Sequence, residues 1–423
     1  MIVRITPSAI PADARVQAPP SKSITHRLLI CAGLASPDEG ESVIHGVAAS
    51  QDVEATLDCL RELGAAWRRE ANTIIMRGAD LGDVAFEALT FPCRESGSTL
   101  RFLVPLGLAL GGPVTLTGSA RLLARPLEPY EALCGAQGLF WEKTAADLRI
   151  QGPLSPGAFV LPGDVSSQFA SGLLFALPLL PGPSTVRLTD PVESRPYINL
   201  TLDALGAFDV FAVWQDPNTL VIPGGQTFLP QEIRVEGDWS AAANFLSLGV
   251  QVDGLNPDSL QGDRACNGIF ETLAKGPATI DLANCPDLGP VAMAFAAAHH
   301  GGTFENTRRL ALKESDRGAA MAAELAKFGV TVTSEENRIT VTPPAAGLAA
   351  PAETLSGHDD HRIVMALATL CARTGGEITG AEAVAKSFPD FFARLAQAGV
   401  DLELRAEAGV DLELRAEAEE DRP

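Results

Sequence analysis

The sequence lacks the patterns that mark disulfide, metal and nucleotide sites. Its seven cysteines are scattered, odd in number and include no Cys-x-x-Cys pair, which indicates buried thiols in a reducing compartment. No spacing of His, Cys, Asp and Glu is typical of a metal site, and no Gly-x-Gly-x-x-Gly or Walker loop is present. Nothing in the chain therefore predicts a metal or a nucleotide cofactor.

Basic residues are also scarce. The 32 lysines and arginines are outnumbered by 53 acids, and a net charge of −21 argues against general binding to nucleic acid or anionic membranes. No apolar run approaches a membrane span, and the first ten residues do not resemble a signal peptide. With 423 residues, 46% of them hydrophobic, we expect a soluble, cytoplasmic monomer of at least two domains.

A short polar cluster followed by a wholly apolar run occurs six times. In residues 163–182, Asp164, Ser166, Ser167 and Gln168 precede about three apolar turns. Such a helix should be buried, with the cluster at its N-terminus, where free N–H groups favour an anion. The other five clusters start near Ser21, Ser96, Asp238, Asp287 and Asp359. With Ser166 marking the cluster in 163–182, successive markers are 75, 70, 72, 49 and 72 residues apart. This is an internal repeat of roughly 70 residues with one short member.

The repeat predicts the architecture. Each unit reads helix, strand, helix, strand, strand, but the fourth runs from a helix near Cys266–Lys275 directly into a strand at 279–282, without a closing hairpin. We expect an α/β fold of six βαβαββ-like units in two domains, residues 20–235 and residues 1–19 plus 236–423. The buried helices would lie inside and the strands outside, an inside-out α/β barrel. All six helix N-termini would face one cleft between the domains.

The C-terminus carries a tandem ten-residue repeat. Residues 398–407 reappear unchanged as 408–417. Val400, Leu402 and Leu404 alternate as a strand would. The second copy either pairs with this strand or forms an appended, frayed tail, and we favour the tail.

Cations recur beside the polar clusters. A helix N-terminus already attracts anions, so a cation placed there is unfavourable unless an anion binds. Lys313 and Arg317 stand four residues apart, a spacing at which like charges repel unless a ligand anion, Glu314 or Asp316 relieves the repulsion. Capping remains an alternative for Ser166, Asp287, Glu95 and Asp359. We expect at least two anionic groups to bind near Lys22, Arg27, Arg101, Arg125, Arg195, Lys313, Arg317, Arg362 and Lys386.

Eight motifs carry a resemblance to a known family over nearly all residues from Pro19 to about Leu404. The chain resembles the EPSP synthases (3-phosphoshikimate 1-carboxyvinyltransferases), whose fold is the inside-out α/β architecture described above. The motifs occur in family order at residues 21–27, 96–101, 124–126, 163–168, 194–197, 312–317, 359–362 and 385–390.

The resemblance implies the site and the reaction. Shikimate 3-phosphate would lie against Lys22, Ser23, Arg27, Ser166, Ser167, Gln168, Ser194, Tyr197, Asp287 and Lys313. Phosphoenolpyruvate would be held by Lys22, Gly97, Arg125, Gln168, Arg317, Arg362 and Lys386. An enolpyruvyl group would pass to the 5-hydroxyl of the first substrate by addition and elimination of phosphate, without metal or cofactor. We assign Asp287 to the hydroxyl proton and Glu314 to the methylene proton, with Lys22 as a second donor.

The chain departs from the family at three positions. Many relatives have Asn where this chain has Glu95, and some have Pro where it has Phe102. Some relatives also have Asn where this chain has Arg309. The first two leave sensitivity to the phosphoenolpyruvate-competitive inhibitor glyphosate open, and the family role at 309 carries over only weakly.

Two other functions remain as alternatives. An enolpyruvyl transferase acting on UDP-N-acetylglucosamine usually has a reactive Cys shortly before an Arg-Pro, and residues 118–124 contain none. A non-catalytic metabolite-binding relative predicts loss of Asp287 or Glu314, and both are present.

Overall fold

The computed structural model describes residues 1–84 and 88–406, so the second ten-residue copy at 408–417 lies outside the described residues. Short polar residues precede the long apolar helices, as at Ser96, whose hydroxyl accepts a hydrogen bond from the Thr99 amide. The α-helices are α1 Lys22–Leu34, α2 Gln51–Glu62, α3 Leu81–Val84, α4 Gly97–Leu110, α5 Ala120–Leu123, α6 Glu128–Gln137, α7 Ser167–Ala176, α8 Arg195–Ala207, α9 Trp239–Leu246, α10 Cys266–Lys275, α11 Gly289–Ala298, α12 Arg317–Ala326, α13 His361–Thr374 and α14 Phe391–Gln397.

The strands are short, and most alternate between buried and exposed side chains, as expected for sheets with one solvated face. They are β1 Ile2–Ile5, β2 Arg15–Gln17, β3 Ser42–His45, β4 Ala66–Glu70, β5 Thr73–Arg77, β6 Leu89–Pro92, β7 Pro113–Thr117, β8 Phe140–Lys143, β9 Asp147–Gln151, β10 Ala158–Pro162, β11 Ser184–Thr189, β12 Val213–Trp214, β13 Thr219–Ile222, β14 Glu232–Arg234, β15 Gln251–Asp253, β16 Ala278–Asp281, β17 Gly302–Glu305, β18 Thr331–Glu335, β19 Arg338–Thr342, β20 Leu355–Ser356, β21 Gly376–Thr379 and β22 Leu402–Arg405.

The strand pairing repeats the same topology in five four-stranded sheets. In the sheet β10-β11-β13-β12, the first pair is parallel and the next two pairs are antiparallel. The sheets β6-β7-β9-β8, β14-β3-β5-β4, β16-β17-β19-β18 and β20-β21-β1-β22 follow the same order. The remaining sheet contains only β15 and β2, because α10 leads straight into β16. The six-unit α/β repeat and the missing fourth hairpin are therefore confirmed.

Two separate apolar cores lie under these sheets. One is built from residues between Leu28 and Val235, and the other from residues between Trp239 and Val400 together with Val3, Ile5 and Val16. The N-terminal strands β1 and β2 pair only with strands of the second group in the described chain, whereas β14 pairs with β3 of the first. We propose on this basis that residues 20–235 form one domain and residues 1–19 plus 236–423 the other.

The long apolar helices are buried as their composition predicts. Every residue of α7 from Phe169 onward is buried, and so is α11 up to Ala297. The α7 helix stops at Ala176, before Pro178 in a short 3₁₀ turn, because proline cannot continue the hydrogen-bond ladder. In the described residues, no helix has both the length and the apolar composition needed to cross a membrane.

Candidate active site

A cleft forms the main cavity where residues of both proposed domains meet, with about 890 Å³ of empty space when the adjoining open solvent is included. Five of the six buried helices contribute residues from their N-terminal ends. The sixth, α9, does not line this cavity, and its cap Asp238 instead accepts a hydrogen bond from the Lys22 amide at 3.0 Å. The predicted residues that line the cavity are Lys22, Ser23, Arg27, Arg125, Ser166, Ser167, Gln168, Ser194, Tyr197, Asp287, Lys313, Glu314, Arg317 and Arg362.

Lys22 and Arg27 are held in place by acceptors of the same domain. The Lys22 ammonium lies 2.8 Å from Asp52, at the start of α2. Arg27 is buried and donates to the hydroxyl of Thr201 at 2.8 Å and to the carbonyl of Tyr197 at 2.9 Å. Burial lowers the pKa of Arg27 to about 10, so the guanidinium stays charged at neutral pH. These contacts pre-organise two cations at the floor of the cavity.

Gln168 connects two helix N-termini. Its side-chain oxygen accepts from Arg101 at 2.8 Å, and its amide nitrogen donates to the hydroxyl of Ser98 at 2.9 Å. Arg101 is buried and also donates to the Pro126 carbonyl. The Gln168 amide is thereby fixed between α4 and α7, with its orientation set by an obligate donor on one side.

The opposite wall is a dense cluster of acids and cations. One carboxylate oxygen of Asp287 forms ion pairs with Arg317 at 2.8 Å and with Lys313 at 3.2 Å. The other oxygen forms an ion pair with Arg362 at 3.2 Å. The Glu314 carboxylate lies 2.5 Å from the Arg317 guanidinium and 3.5 Å from that of Arg125, which belongs to the other proposed domain. Arg317 itself is 1% exposed. The cluster places two carboxylates within reach of the same cations.

The cations keep both carboxylates ionised. Burial opposes ionisation of Asp287, but Arg362, Lys313 and Arg317 outweigh it and hold its pKa well below the usual value. Burial likewise opposes ionisation of Glu314, and Arg317 and Arg125 hold its pKa well below the usual value. Neither acid is a ready proton donor while these pairs are intact.

A second, smaller cavity adjoins the first, and both share Arg125, Glu314 and His361. Lys386 lines it, 2.6 Å from Glu95 and 2.8 Å from Asp359. Gly97 begins α4 under Arg125, and a Cβ there would lie 2.2 Å from the Arg125 guanidinium. The remaining predicted residues, Gly97 and Lys386, are therefore next to the main cavity rather than in its lining.

Of the four residues for which helix capping was an alternative, Ser166 is the one that caps a helix with its side chain in the described structure. Ser166 does cap α7, accepting from the Gln168 amide at 3.3 Å, although it also lines the cavity. Asp287 makes no capping hydrogen bond; it lies in a 3₁₀ turn before α11 with its carboxylate on cations. The caps next to Glu95 and Asp359 are Ser96 and Asp360. Asp316 caps α12 and does not relieve the repulsion between Lys313 and Arg317, a task that falls to Glu314 and Asp287.

Some residues in the cavity lining, and others that contact the lining, were not predicted as ligands. His361 is buried between the two cavities, and burial, with Lys22 and Arg362, lowers its pKa well below the usual range, so it is neutral. Arg309 is buried and forms an ion pair with Glu193, and it donates a hydrogen bond to the Ser194 hydroxyl at 2.6 Å. Asp263 accepts from the Tyr197 hydroxyl. The sequence signal for Arg101 and His361 was their place in the polar motifs, whereas Asp263 and Glu193 carried no motif signal.

The sequence of this chain is similar to those of known proteins. A family model described as EPSP synthase (3-phosphoshikimate 1-carboxyvinyltransferase) matches residues 8–395. The chain belongs to the EPSP synthase family. A 3-phosphoshikimate 1-carboxyvinyltransferase of Clostridium kluyveri is 37% identical over 432 residues, covering 95% of this chain and 98% of that protein.

Solved structures show the same fold at lower identity. The EPSP synthase from Acinetobacter baumannii has a TM-score of 0.76 at 22% identity, covering 95% of this chain and 100% of that one. The enolpyruvyl transferase NikO from Streptomyces tendae has a TM-score of 0.73 at 14% identity, covering 95% and 98%. These neighbours support the enolpyruvyl transferase fold expected from the sequence.

Proposed function

We propose that this protein transfers the enolpyruvyl group of phosphoenolpyruvate to the 5-hydroxyl of shikimate 3-phosphate and releases phosphate. The observation that carries the proposal is one cavity in which Asp287 and Glu314 share a cluster of cations. The substrates bring two phosphates and two carboxylates, which need such cations. Family membership supports the same reaction as a step of aromatic biosynthesis.

We assign shikimate 3-phosphate to the side of the cavity formed by α1, α7 and α8. Ser166, Ser167 and Ser194 offer hydroxyls at helix N-termini, where backbone N–H groups favour a phosphate. Arg27 and Tyr197 are tied together through the Tyr197 carbonyl, so this wall is rigid. Asp287 and Lys313 face it from the other domain, next to the hydroxyl that must react. The full set is Lys22, Ser23, Arg27, Ser166, Ser167, Gln168, Ser194, Tyr197, Asp287 and Lys313.

We assign phosphoenolpyruvate to the region shared by the two cavities. Arg125 lies over Gly97 on one side, and Arg317 and Arg362 lie on the other. Only glycine at 97 lets the guanidinium approach the helix N-terminus so closely. The two arginines suit a carboxylate, which accepts paired hydrogen bonds from a guanidinium. The full set is Lys22, Gly97, Arg125, Gln168, Arg317, Arg362 and Lys386.

The acids divide the proton transfers. The 5-hydroxyl oxygen bonds to C2 of phosphoenolpyruvate while its proton passes to Asp287. A proton is added at the C3 methylene by Glu314, with Lys22 as the second candidate, which gives a tetrahedral adduct. A C3 proton then returns to the same group, the double bond re-forms, and phosphate leaves with the electron pair of its C–O bond and takes up the proton that Asp287 received from the hydroxyl.

Substrate binding would switch these acids into working range. Phosphate and carboxylate groups compete for the cations that now hold the pKa values of Asp287 and Glu314 low. Drawing Arg362 or Lys313 toward an anion weakens its hold on Asp287, so the pKa of that carboxyl rises toward neutrality. The carboxylates thus become useful acids and bases only when both substrates are present.

The residues at two places argue against the two competing functions. Residues 118–124, which include helix α5, contain no cysteine to serve an enolpyruvyl transferase of UDP-N-acetylglucosamine. A non-catalytic relative would not need Asp287 and Glu314 among the cations. We also propose that the protein works as a cytoplasmic monomer without a cofactor.

A phosphate-release assay tests the proposal. Phosphoenolpyruvate is supplied with either shikimate 3-phosphate or UDP-N-acetylglucosamine, and inorganic phosphate is measured over time. We expect release only with shikimate 3-phosphate. Release only with the nucleotide sugar, or with neither, would overturn the proposed function.

A further inference from the structure

Glu95 is an acid in a place that should bind an anion. The second cavity, which adjoins the proposed phosphoenolpyruvate region, holds three cations and three acids. Asp52 is paired with Lys22 and Glu314 with Arg317 and Arg125, so both already serve cations of the main cavity. The six charged groups are Arg121, Arg125, Lys386, Asp52, Glu95 and Glu314. Glu95 is the one acid whose presence the proposed reaction does not explain.

Protein acceptors use the full donor capacity of Lys386. Its ammonium lies 2.6 Å from the Glu95 carboxylate, 2.8 Å from the Asp359 carboxylate and 2.9 Å from the Asp359 carbonyl. An ammonium has three N–H donors, so these three contacts leave none for a substrate. Burial opposes the charge of Lys386, but the hydrogen bonds that its ammonium donates to the Asp359 and Glu95 carboxylates outweigh burial and raise the pKa of Lys386.

Glu95 is the partner that an arriving anion displaces most easily. Asp359 holds Lys386 through two atoms and also receives Arg121 at 2.7 Å. Among the described residues, Glu95 has an ion pair only with Lys386, and its side chain is 40% exposed while that of Lys386 is 10% exposed. Glu95, held by this one cation, can therefore swing into solvent, whereas Asp359, although its side chain is 52% exposed, is held by two contacts with Lys386 and by Arg121.

We propose that Glu95 is a specificity-determining residue that competes with phosphoenolpyruvate for Lys386. The inference rests on the proposed assignment of Lys386 to phosphoenolpyruvate. Before binding, Glu95 neutralises the Lys386 ammonium across the cleft. When phosphoenolpyruvate arrives, its anionic group replaces Glu95 on Lys386, and the negative charge of Glu95 remains nearby and repels phosphoenolpyruvate. This competition weakens the binding of phosphoenolpyruvate. It does not weaken the binding of shikimate 3-phosphate, because the proposed ligands of shikimate 3-phosphate do not include Lys386.

The Glu95→Gln variant tests this competition. The amide keeps the size of the side chain but loses its charge, so the KM for phosphoenolpyruvate should fall by roughly two- to fivefold, the scale of a partly exposed ion pair. The KM for shikimate 3-phosphate should change by less than about twofold. Glu62→Gln, an exposed acid at the end of α2, is the matched control and should leave both constants unchanged. An unchanged or raised KM for phosphoenolpyruvate in Glu95→Gln would overturn the proposal.

A double variant shows whether Glu95 acts through Lys386. In a Lys386→Met background, adding Glu95→Gln should no longer lower the KM for phosphoenolpyruvate. A full effect of Glu95→Gln in that background would contradict the mechanism. Turnover of wild type with both substrates separates this question from the proposed function, because phosphate release tests the reaction and only the direction of the KM change tests Glu95.

Discussion

At the scale of single residues, the site consists of acids held ionised by cations that the substrates must claim. Arg317 joins both acids, donating to Asp287 and to Glu314, and Asp360 holds the same guanidinium at 2.9 Å. Moving one substrate anion onto this cluster therefore changes the charge around both acids at once. The chemistry of each acid can be tested separately because their proposed protons differ.

Glu314→Gln should reveal the methylene proton. The amide cannot carry a proton to carbon, so turnover should fall at least ~10²-fold, the usual cost of losing a general acid or base. Exchange of solvent deuterium into the methylene group, followed by mass spectrometry, should slow as well. Exchange at the wild-type rate would shift the role to Lys22. The exposed Glu62→Gln variant serves again as the control.

Asp263 should make stability depend on pH. Burial, with Asp287 nearby, raises the pKa of Asp263 to about 7, so the folded protein keeps a proton that the unfolded chain releases near pH 4. Stability contributed by this proton is complete at low pH and is lost as the pH rises from about 4 to 7, by roughly 1.4 kcal/mol per pH unit at most. Asp263→Asn should flatten the thermal-stability profile over that window, whereas the exposed Asp258→Asn should not. Parallel profiles for wild type and Asp263→Asn would contradict this assignment.

The sequence predicted the residues of the site better than their partners. Glu314 was recognisable because it stands in a motif between Lys313 and Arg317, and Asp287 because it marks one of the six polar clusters that precede a buried helix. Asp263 was not, because its partner Tyr197 is 66 residues away and the contact exists only after the two domains meet. Glu95 was noticed as a departure, yet its contact with Lys386 depends on a pairing across 291 positions that no local pattern encodes.

At the scale of helices and strands, the site depends on close approaches that glycine permits. Gly172 of α7 meets α4, where a Cβ would lie 2.4 Å from the Arg101 carbonyl and 2.2 Å from the Tyr130 hydroxyl. Backbone cannot move aside as a long side chain can, so the two helices would have to separate. The packing of α7 on α4 thus sets the distance between Gln168 and Arg101.

Gly172→Ala should destabilise the protein by about 1–3 kcal/mol, the usual cost of overpacking a core. Gly206→Ala in α8 is the control, since nothing lies within 4 Å of a Cβ there, and it should be neutral or stabilising by up to about 1 kcal/mol. Chemical denaturation measures both. Equal stabilities would show that the two helices are not packed as described.

Gly97→Ala should affect binding far more than stability. The methyl would push away the Arg125 guanidinium, the flexible end of a side chain, so we expect at least a tenfold rise in the KM for phosphoenolpyruvate, about 1.4 kcal/mol. Gly135→Ala in α6, where a Cβ meets nothing within 4 Å, should leave the KM unchanged. A normal KM for Gly97→Ala would remove Gly97 and Arg125 from the proposed set.

Element boundaries were predictable where the pattern was long and less so where it was short. The helix predicted near Cys266–Lys275 has those bounds as α10, and the strand predicted at 279–282 is β16, Ala278–Asp281. The strand β12 after α8, in contrast, has only two residues, Val213–Trp214. Asp209 has a left-handed φ of 60°, and the chain after it turns before it can pair. The expectation that all six helices face the cleft failed at α9, whose N-terminus is occupied by Asp238 and by contact with α1.

At the scale of the whole molecule, many contacts between the two proposed domains are polar: the buried ion pair of Arg309 with Glu193, the hydrogen bond that Tyr197 donates to Asp263, and several partly exposed ion pairs. Arg121 with Asp359, Arg308 with Asp164 and Lys386 with Glu95 join the two proposed domains, and most of these groups are partly exposed. Such pairs contribute about 0–1 kcal/mol each and weaken with salt. The proposed domains should therefore separate readily until substrate anions hold the cations of both together.

Small-angle scattering tests this closure. We expect the radius of gyration to be larger without ligands than with saturating shikimate 3-phosphate, because the cations of both domains are drawn onto one anion. The difference should grow at higher salt, which weakens the ion pairs across the cleft. Identical scattering with and without the substrate would rule out this motion.

The most direct test of the central claim follows both substrates by phosphorus NMR with wild type and with Asp287→Asn. Wild type should convert shikimate 3-phosphate and phosphoenolpyruvate into one enolpyruvyl product and one inorganic phosphate. Asp287→Asn should still bind shikimate 3-phosphate, seen as a broadened resonance, but convert it at least ~10²-fold more slowly. Absence of product with wild type, or conversion at the wild-type rate by Asp287→Asn, would contradict the account.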